Sequence, residues 1–287
     1  MKTQAFLPLI TYPEANADSV AANATAMAAW LGADLHATSI DVETQRGWDA
    51  WLRVLYVELP ELIREAEKVS RERGRHLLEL VREQAANRGV NLTTSTAAQP
   101  LLGEIIAEHA RYFDISLLGW EPGNPACRST AQAVAFGSGR PLVLLPVAVE
   151  TRTVSHVAIA WDGSRVAARA VADAMPFLER ASRTTVLTVI DEKPLKDKGG
   201  AERLVDGLHR RGIAADAVLV KQEGSSIGSS LQEHALERQA DLLVMGGFGH
   251  SVIRDFVVGG ATENVLDDLR ACWFNCLTEE APPVRRA

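Results

Sequence analysis

The chain repeats itself, and an internal repeat constrains the fold more than any motif, because both copies must reach the same supersecondary arrangement. Residues 5–41 lie over 155–191 at a shift of 150 without a gap, matching Thr38, Ile40 and Asp41 to Thr188, Ile190 and Asp191. "NRGVNL" (87–92) lies over "RRGIAA" (210–215), and "LLGEIIAEHA" (101–110) over "SIGSSLQEHA" (226–235). "DISLLG" (114–119) lies over "DLLVMG" (241–246). The landmarks keep their order, so the 287 residues read as two domains, 1–149 and 155–287, joined through the polar stretch "VETRTVS" (149–155). About 150 residues is the ordinary size of one domain.

Each copy alternates short apolar runs with segments of helical periodicity. In the second half "HVAIAW" reads as a strand, and "SRVAARAVADAMPFLERA" as a helix with Ser164 as its N-cap. "TTVLTVI" reads as a β-branched strand. Further helices are expected around 201–211 and 226–239, and strands at 215–220 and 241–244. Near-continuous apolar strands suit a parallel sheet covered on both faces. The expectation is therefore α/β: two tandem doubly wound, Rossmann-like domains. The first half carries an insertion at 44–86, ending in a long amphipathic helix with Leu77, Leu78, Leu80 and Val81 on its apolar side.

Bulk properties exclude several classes. The net charge of −7 argues against nucleic acid as a partner. No apolar run approaches the roughly 20 residues of a membrane span. The start, "MKTQAFLPLITYPEANAD", imitates a signal peptide weakly, but Pro8 breaks its apolar run and the repeat needs it as a strand. A cytoplasmic chain is expected. Three cysteines, Cys127, Cys272 and Cys276, are too few for a disulfide framework and do not complete a zinc site. On a helix, Cys272 and Cys276 would share a face. No metal site is expected.

The stretch "MGGFGHSVIRDFVVGGATENVL" (245–266) follows the apolar run that ends at Val244. In doubly wound folds, ligands bind outside the carboxyl ends of the strands, where this loop must emerge. Gly246 and Gly249 lack a Cβ and allow close backbone approach. Gly259 and Gly260 precede "ATENVLDDL", which reads as a helix whose free N–H groups favour phosphate. Taken alone, Gly-x2-Gly equally suits a tight turn. No Gly-x4-Gly-Lys-Ser/Thr is present.

Gly246, Gly249 and Gly259 stand at the Gly-x2-Gly-x9-Gly spacing, and Asp162 ends the first strand of the second half in "VAIAWDGS". With these features the chain resembles a tandem universal stress protein, two domains of that family in one chain. The resemblance implies five-strand parallel sheets, two halves packed as a pseudo-dimer through their last strands, and adenine-nucleotide binding. It places Asp162 by the nucleoside, Val189 or Ile190 by adenine, and Gly246, Gly249 and Gly259 around ribose and phosphates. The family's Ser/Thr after the third glycine is Gly260 here, which removes a hydroxyl but keeps an N–H. His250, Ser251 and Thr262 could supply replacement donors. The first half lacks this site: Tyr12 falls in the register of Asp162, and the loop "GWEPGNPACRSTAQAVAFGSGRP" has Gly119 and Gly123 at the wrong spacing.

Three functions follow. The first is a binding module for ATP or AMP, with Mg2+ as an accompanying ion, in stress response or signalling. The second is an interaction protein of the same fold that takes no nucleotide and acts on an unknown protein partner. The third is a slow ATP hydrolase, for which no paired nucleophile and base stand in the motif region. No catalytic residue is assigned, and a homodimer of tandem chains is open. At the C-terminus, "CWFNCL" is expected to form a short or irregular strand and residues from Glu279 a mobile tail.

Overall fold

The computed structural model describes residues 2–42, 59–99, 104–150, 153–190, 199–221, 226–246, 269 and 272–276. It divides into two compact units, Met1–Arg140 and Pro141–Ala287.

In the first unit, strand β1 (Gln4–Ile10) leads to helix α1 (Ser19–Leu31), then β2 (Asp34–Val42), α2 (Leu59–Arg88), β3 (Leu92–Gln99), α3 (Glu104–Ala110), β4 (Ile115–Trp120) and α4 (Pro125–Gly137). The sheet order is β3-β2-β1-β4, and the β1–β2, β2–β3 and β1–β4 pairs are parallel. Side chains point to alternate faces of a strand, and β1 is buried from Ala5 to Ile10 on both. That explains its continuous apolar run. The α2 stripe behaves as its periodicity predicts: Leu77, Leu78 and Val81 are buried, and Leu80 is half-buried.

The second unit begins with β5 (Leu142–Pro146) and continues through β6 (His156–Ala160), α5 (Arg165–Asp173), α6 (Met175–Leu178), β7 (Arg183–Ile190), α7 (Gly200–His209), β8 (Ala215–Lys221), α8 (Ile227–Glu237), β9 (Leu242–Gly246) and β10 (Cys272–Cys276). Its sheet order is β5-β10-β9-β6-β7-β8. All pairs are parallel except β5–β10, which is antiparallel with Trp273 opposite Leu144. Ser164 caps α5, its side chain accepting from Ala167 N at 3.2 Å.

One sequence expectation, a short strand at "CWFNCL", is met, and one needs correction. "CWFNCL" contributes a regular five-residue strand, in register with β9 from Cys272↔Leu242 to Cys276↔Gly246. Cys272 and Cys276 therefore stand on a strand rather than a helix; the tail from Glu279 lies outside the described residues. The segment read as one long loop after β4 is mostly helix α4, started by Asn124 and Pro125.

The hydrogen bonds also revise the alignment of the halves. Gln4 N donates to Asp114 Oδ2 and Asp114 N to Gln4 O; His156 N and Asp241 repeat both bonds, all at 2.9 Å. Gln4 thus corresponds to His156, an offset of 152. On the second strands, Leu35 N donates to Asn91 O as Thr184 N does to Ala214 O, an offset of 149. The ungapped shift of 150 suits neither strand. The second strands slip by one residue, which moves every side chain to the opposite face, so Asp41 corresponds to Ile190; the first strands slip by two, so Asp162 corresponds to Ile10 rather than Tyr12.

Candidate functional site

In the second unit β9, β6 and β7 are parallel neighbours, so their carboxyl ends share one edge. Trp161 and Asp162 follow β6 there. Val189 and Ile190 end β7 and are half-buried, and Gly246 ends β9. These four predicted site residues, Asp162, Val189, Ile190 and Gly246, are brought to that edge together. Asp162 is exposed; one carboxylate oxygen accepts from Ser164 N at 2.9 Å, and Gly163 turns the chain with φ +76. The other oxygen has no partner among the described residues.

Gly246 is constrained by the protein itself. A Cβ there would lie 2.5 Å from Val166 C and 2.7 Å from Ala167 N, in the first turn of α5. Real Cβ contacts do not reach such distances, so glycine is required for strand and helix to pack. The backbone that approaches Gly246 is that of α5. Gly249, His250, Ser251, Gly259, Gly260 and Thr262 lie outside the described residues.

Trp161 was not anticipated. Its N–H donates to Leu187 O at 2.8 Å, and its carbonyl accepts from Thr188 Oγ1 at 2.9 Å. Its indole Nε1 is buried and has no hydrogen-bond partner among the described residues. The sequence signal was its place directly before Asp162, where a bulky aromatic ends an otherwise aliphatic strand.

The same edge of the first unit is occupied by the chain's own residues. Helices α2 and α7 end alike, with Val90 N donating to Ala85 O at 2.9 Å and Ile213 N to Leu208 O at 3.1 Å. Gly89 and Gly212 follow them at φ +67 and +79. Counted back from there, Gly200 at the start of α7 matches Leu77, so residues 59–76 of α2 are additional helix. At 1.5 Å per residue α2 is about 45 Å long, against about 30 Å for β2. Its buried Ser70 accepts from Val42 N at 2.9 Å and shares a 2.6 Å hydrogen bond with Thr11 Oγ1. Arg73 donates to Asn16 O at 2.5 Å and pairs with Asp18 Oδ1 at 2.7 Å. Gly74 packs so closely that a Cβ would lie 2.1 Å from Ser39 Oγ.

Beneath this helix, Asn16 is 2% exposed and its Oδ1 accepts from Ile10 N at 2.7 Å. At α4, Asn124 Oδ1 accepts from Ala126 N at 3.0 Å and Cys127 N at 3.1 Å, so two free N–H groups of that helix start are already served. Trp120 is 1% exposed and belongs to the core. Tyr12 is 37% exposed and is not what closes the edge. The hydrogen bonds to His76 and Arg73 hold the Asp18 carboxyl below its ordinary value against a desolvation cost. Cys127 is free and buried, and burial pushes its thiol up to about 11, which leaves it inert. No group of three or more His, Cys, Asp or Glu among the described residues could hold a metal ion. No helix among them is long and apolar enough to cross a membrane.

Comparison with known proteins agrees with this geometry. Residues 153–270 match the model of the universal stress protein family. No curated protein matches the chain. Among solved structures, a universal stress protein from Archaeoglobus fulgidus DSM 4304 is similar with a TM-score of 0.69 and 16% identity, covering 95% of this chain and 98% of that one. A putative universal stress protein from Pseudomonas aeruginosa UCBPP-PA14 gives 0.57 and 16%, covering 96% and 93%. A functionally unknown protein from Pseudomonas aeruginosa PAO1 gives 0.57 and 14%, covering 96% and 92%. At these identities the likeness establishes the α/β fold over nearly the whole chain, and the family match lies on the half that carries Asp162 and the glycine spacing.

Proposed function

We propose that the second half, taken as 155–287, is an adenine-nucleotide binding module, taking ATP or AMP in stress response or signalling in the cytoplasm. The first half, 1–149, is its companion domain without a nucleotide site. One observation carries the reading: of two equivalent strand edges, the first is filled by Ser70, Arg73 and Asn16, while the second keeps Asp162 exposed and Val189 and Ile190 half-buried. Asp162 has a carboxylate oxygen to offer a ribose hydroxyl, and the β7 end offers apolar surface to a base. Gly249, Gly259 and Gly260, with His250, Ser251 and Thr262, would take the phosphates and any accompanying Mg2+. These assignments follow the motif spacing in the sequence.

Mass spectrometry of small molecules released by heat from the purified chain tests this. ATP or AMP released in near-equal amount to protein supports the module. No nucleotide released, and no binding at millimolar ATP, favours the interaction protein that works through a protein partner alone.

A further inference from the structure

Three buried polar side-chain atoms among the described residues lack a partner: Ser116 Oγ, Thr184 Oγ1 and Trp161 Nε1. Ser116 and Thr184 are 0% exposed and sit inside strands β4 and β7. Trp161 differs in place, because it stands where β6 leaves the sheet, immediately before Asp162. The pairing Ala160↔Leu187 continues to set it level with Thr188, next to Val189 and Ile190. The Val244↔Ile159 pairing, extended the same way, sets it level with Gly246. A buried donor left unpaired costs a desolvation penalty that native proteins rarely leave uncompensated.

The two halves offer an internal comparison. At the offset of 152 the counterpart of Trp161 is Leu9, which is 0% exposed and has no polar side-chain atom. Where the chain's own helix covers the edge, the position holds a hydrocarbon. In the other half it holds a ring that carries one N–H.

Building on the nucleotide reading above, we infer that Trp161 is a ligand-binding residue whose indole N–H donates to an acceptor on the nucleoside part of the bound nucleotide. Indole nitrogen only donates. Its partner is therefore a purine ring nitrogen or a ribose oxygen, never an exocyclic amine or a metal ion. The backbone bonds to Leu187 and Thr188 fix the main chain from which the ring projects.

The test uses the 15N-labelled full chain, whose indole N–H signals come from six tryptophans. Trp161→Phe identifies the signal by its loss and keeps an aromatic ring. On titration with ATP, AMP and adenosine, the Trp161 signal should move downfield with the affinity that calorimetry gives, and tripolyphosphate should leave it in place. Trp161→Phe should bind ATP about fivefold more weakly, the worth of one ordinary net hydrogen bond. If ATP binds while the signal stays still and the variant binds within twofold of the parent, the inference fails and the nucleotide reading stands. If millimolar ATP gives neither heat nor any indole shift, both fail.

Discussion

Replacing Gly246 by alanine should destabilise the second unit far more than one methyl group ordinarily does. The new Cβ would lie 2.5 Å from Val166 C, 2.7 Å from Ala167 N and 2.7 Å from Val166 O. All three are backbone atoms of the first turn of α5, next to the Ser164 cap, so relief requires moving a helix or a strand. Overpacking costs about 1–3 kcal/mol, and a backbone obstacle belongs at the upper end, about 3 kcal/mol. Gly119 is the control, because it holds the same place at the end of the matching strand segment. There the Cβ would meet Val20 Cγ2 at 2.4 Å, a side chain that can shift. About 1 kcal/mol is expected. At about 3 °C per kcal/mol for a unit of this size, Gly246→Ala should lower its transition by roughly 9 °C and Gly119→Ala by roughly 3 °C. Differential scanning calorimetry of the full-length variants reads both. A Gly246→Ala protein that melts with the parent, or that loses less than Gly119→Ala, would refute the packing account of the first motif glycine.

Other outcomes follow from single groups. Burial holds both His36 and His156 below their ordinary value, so each native ring prefers to stay neutral. The unfolded chain then takes up protons that the native chain resists, and stability present above about pH 6.5 is lost as pH falls below it. Tm should drop between pH 7.5 and 5.5, and His156→Gln should flatten that slope in the second unit; a pH-independent Tm would contradict this. Asn124→Ala removes the cap of α4 and should cost about 1 kcal/mol in the first unit by denaturant titration, with no loss counting against the cap. Gly260→Ser restores the hydroxyl at the motif's last position and should tighten ATP binding about fivefold, or at least preserve it; weaker binding by calorimetry would contradict the phosphate assignment.

Strand content and strand order of occurrence were legible because buried parallel strands write themselves as apolar runs such as "AFLPLI" and "HVAIA". Register was not, because such runs carry no alternation to fix it. Matching Asp41 to Asp191 was therefore possible on paper; the Asp114 and Asp241 clamps revealed the offset of the first strands, and the Leu35 and Thr184 backbone bonds that of the second. Leu77 and Val81 marked the packed part of α2, but nothing in its polar first half announced that Ser70 and Arg73 would close the strand edge; those contacts depend on length and placement. Asn124-Pro125 did carry a helix-start signal, the N-cap and N1 proline, outweighed by the glycines around it. Gly246 was found by spacing, though its neighbour is a helix. Trp161 had a signal in its place before Asp162, but its unpaired buried donor is visible only in the structure.

The central claim is asymmetry: two equivalent folds in one chain, one edge closed by its own residues and one suited to a nucleotide. Isothermal titration calorimetry of the full chain with ATP measures it directly. One ATP per chain is expected, lost in Gly259→Val because a branched side chain blocks backbone approach to phosphate, and unchanged in Tyr12→Ala. Two equivalent sites per chain would contradict the account, because Ser70, Arg73 and Asn16 would then not close the first edge.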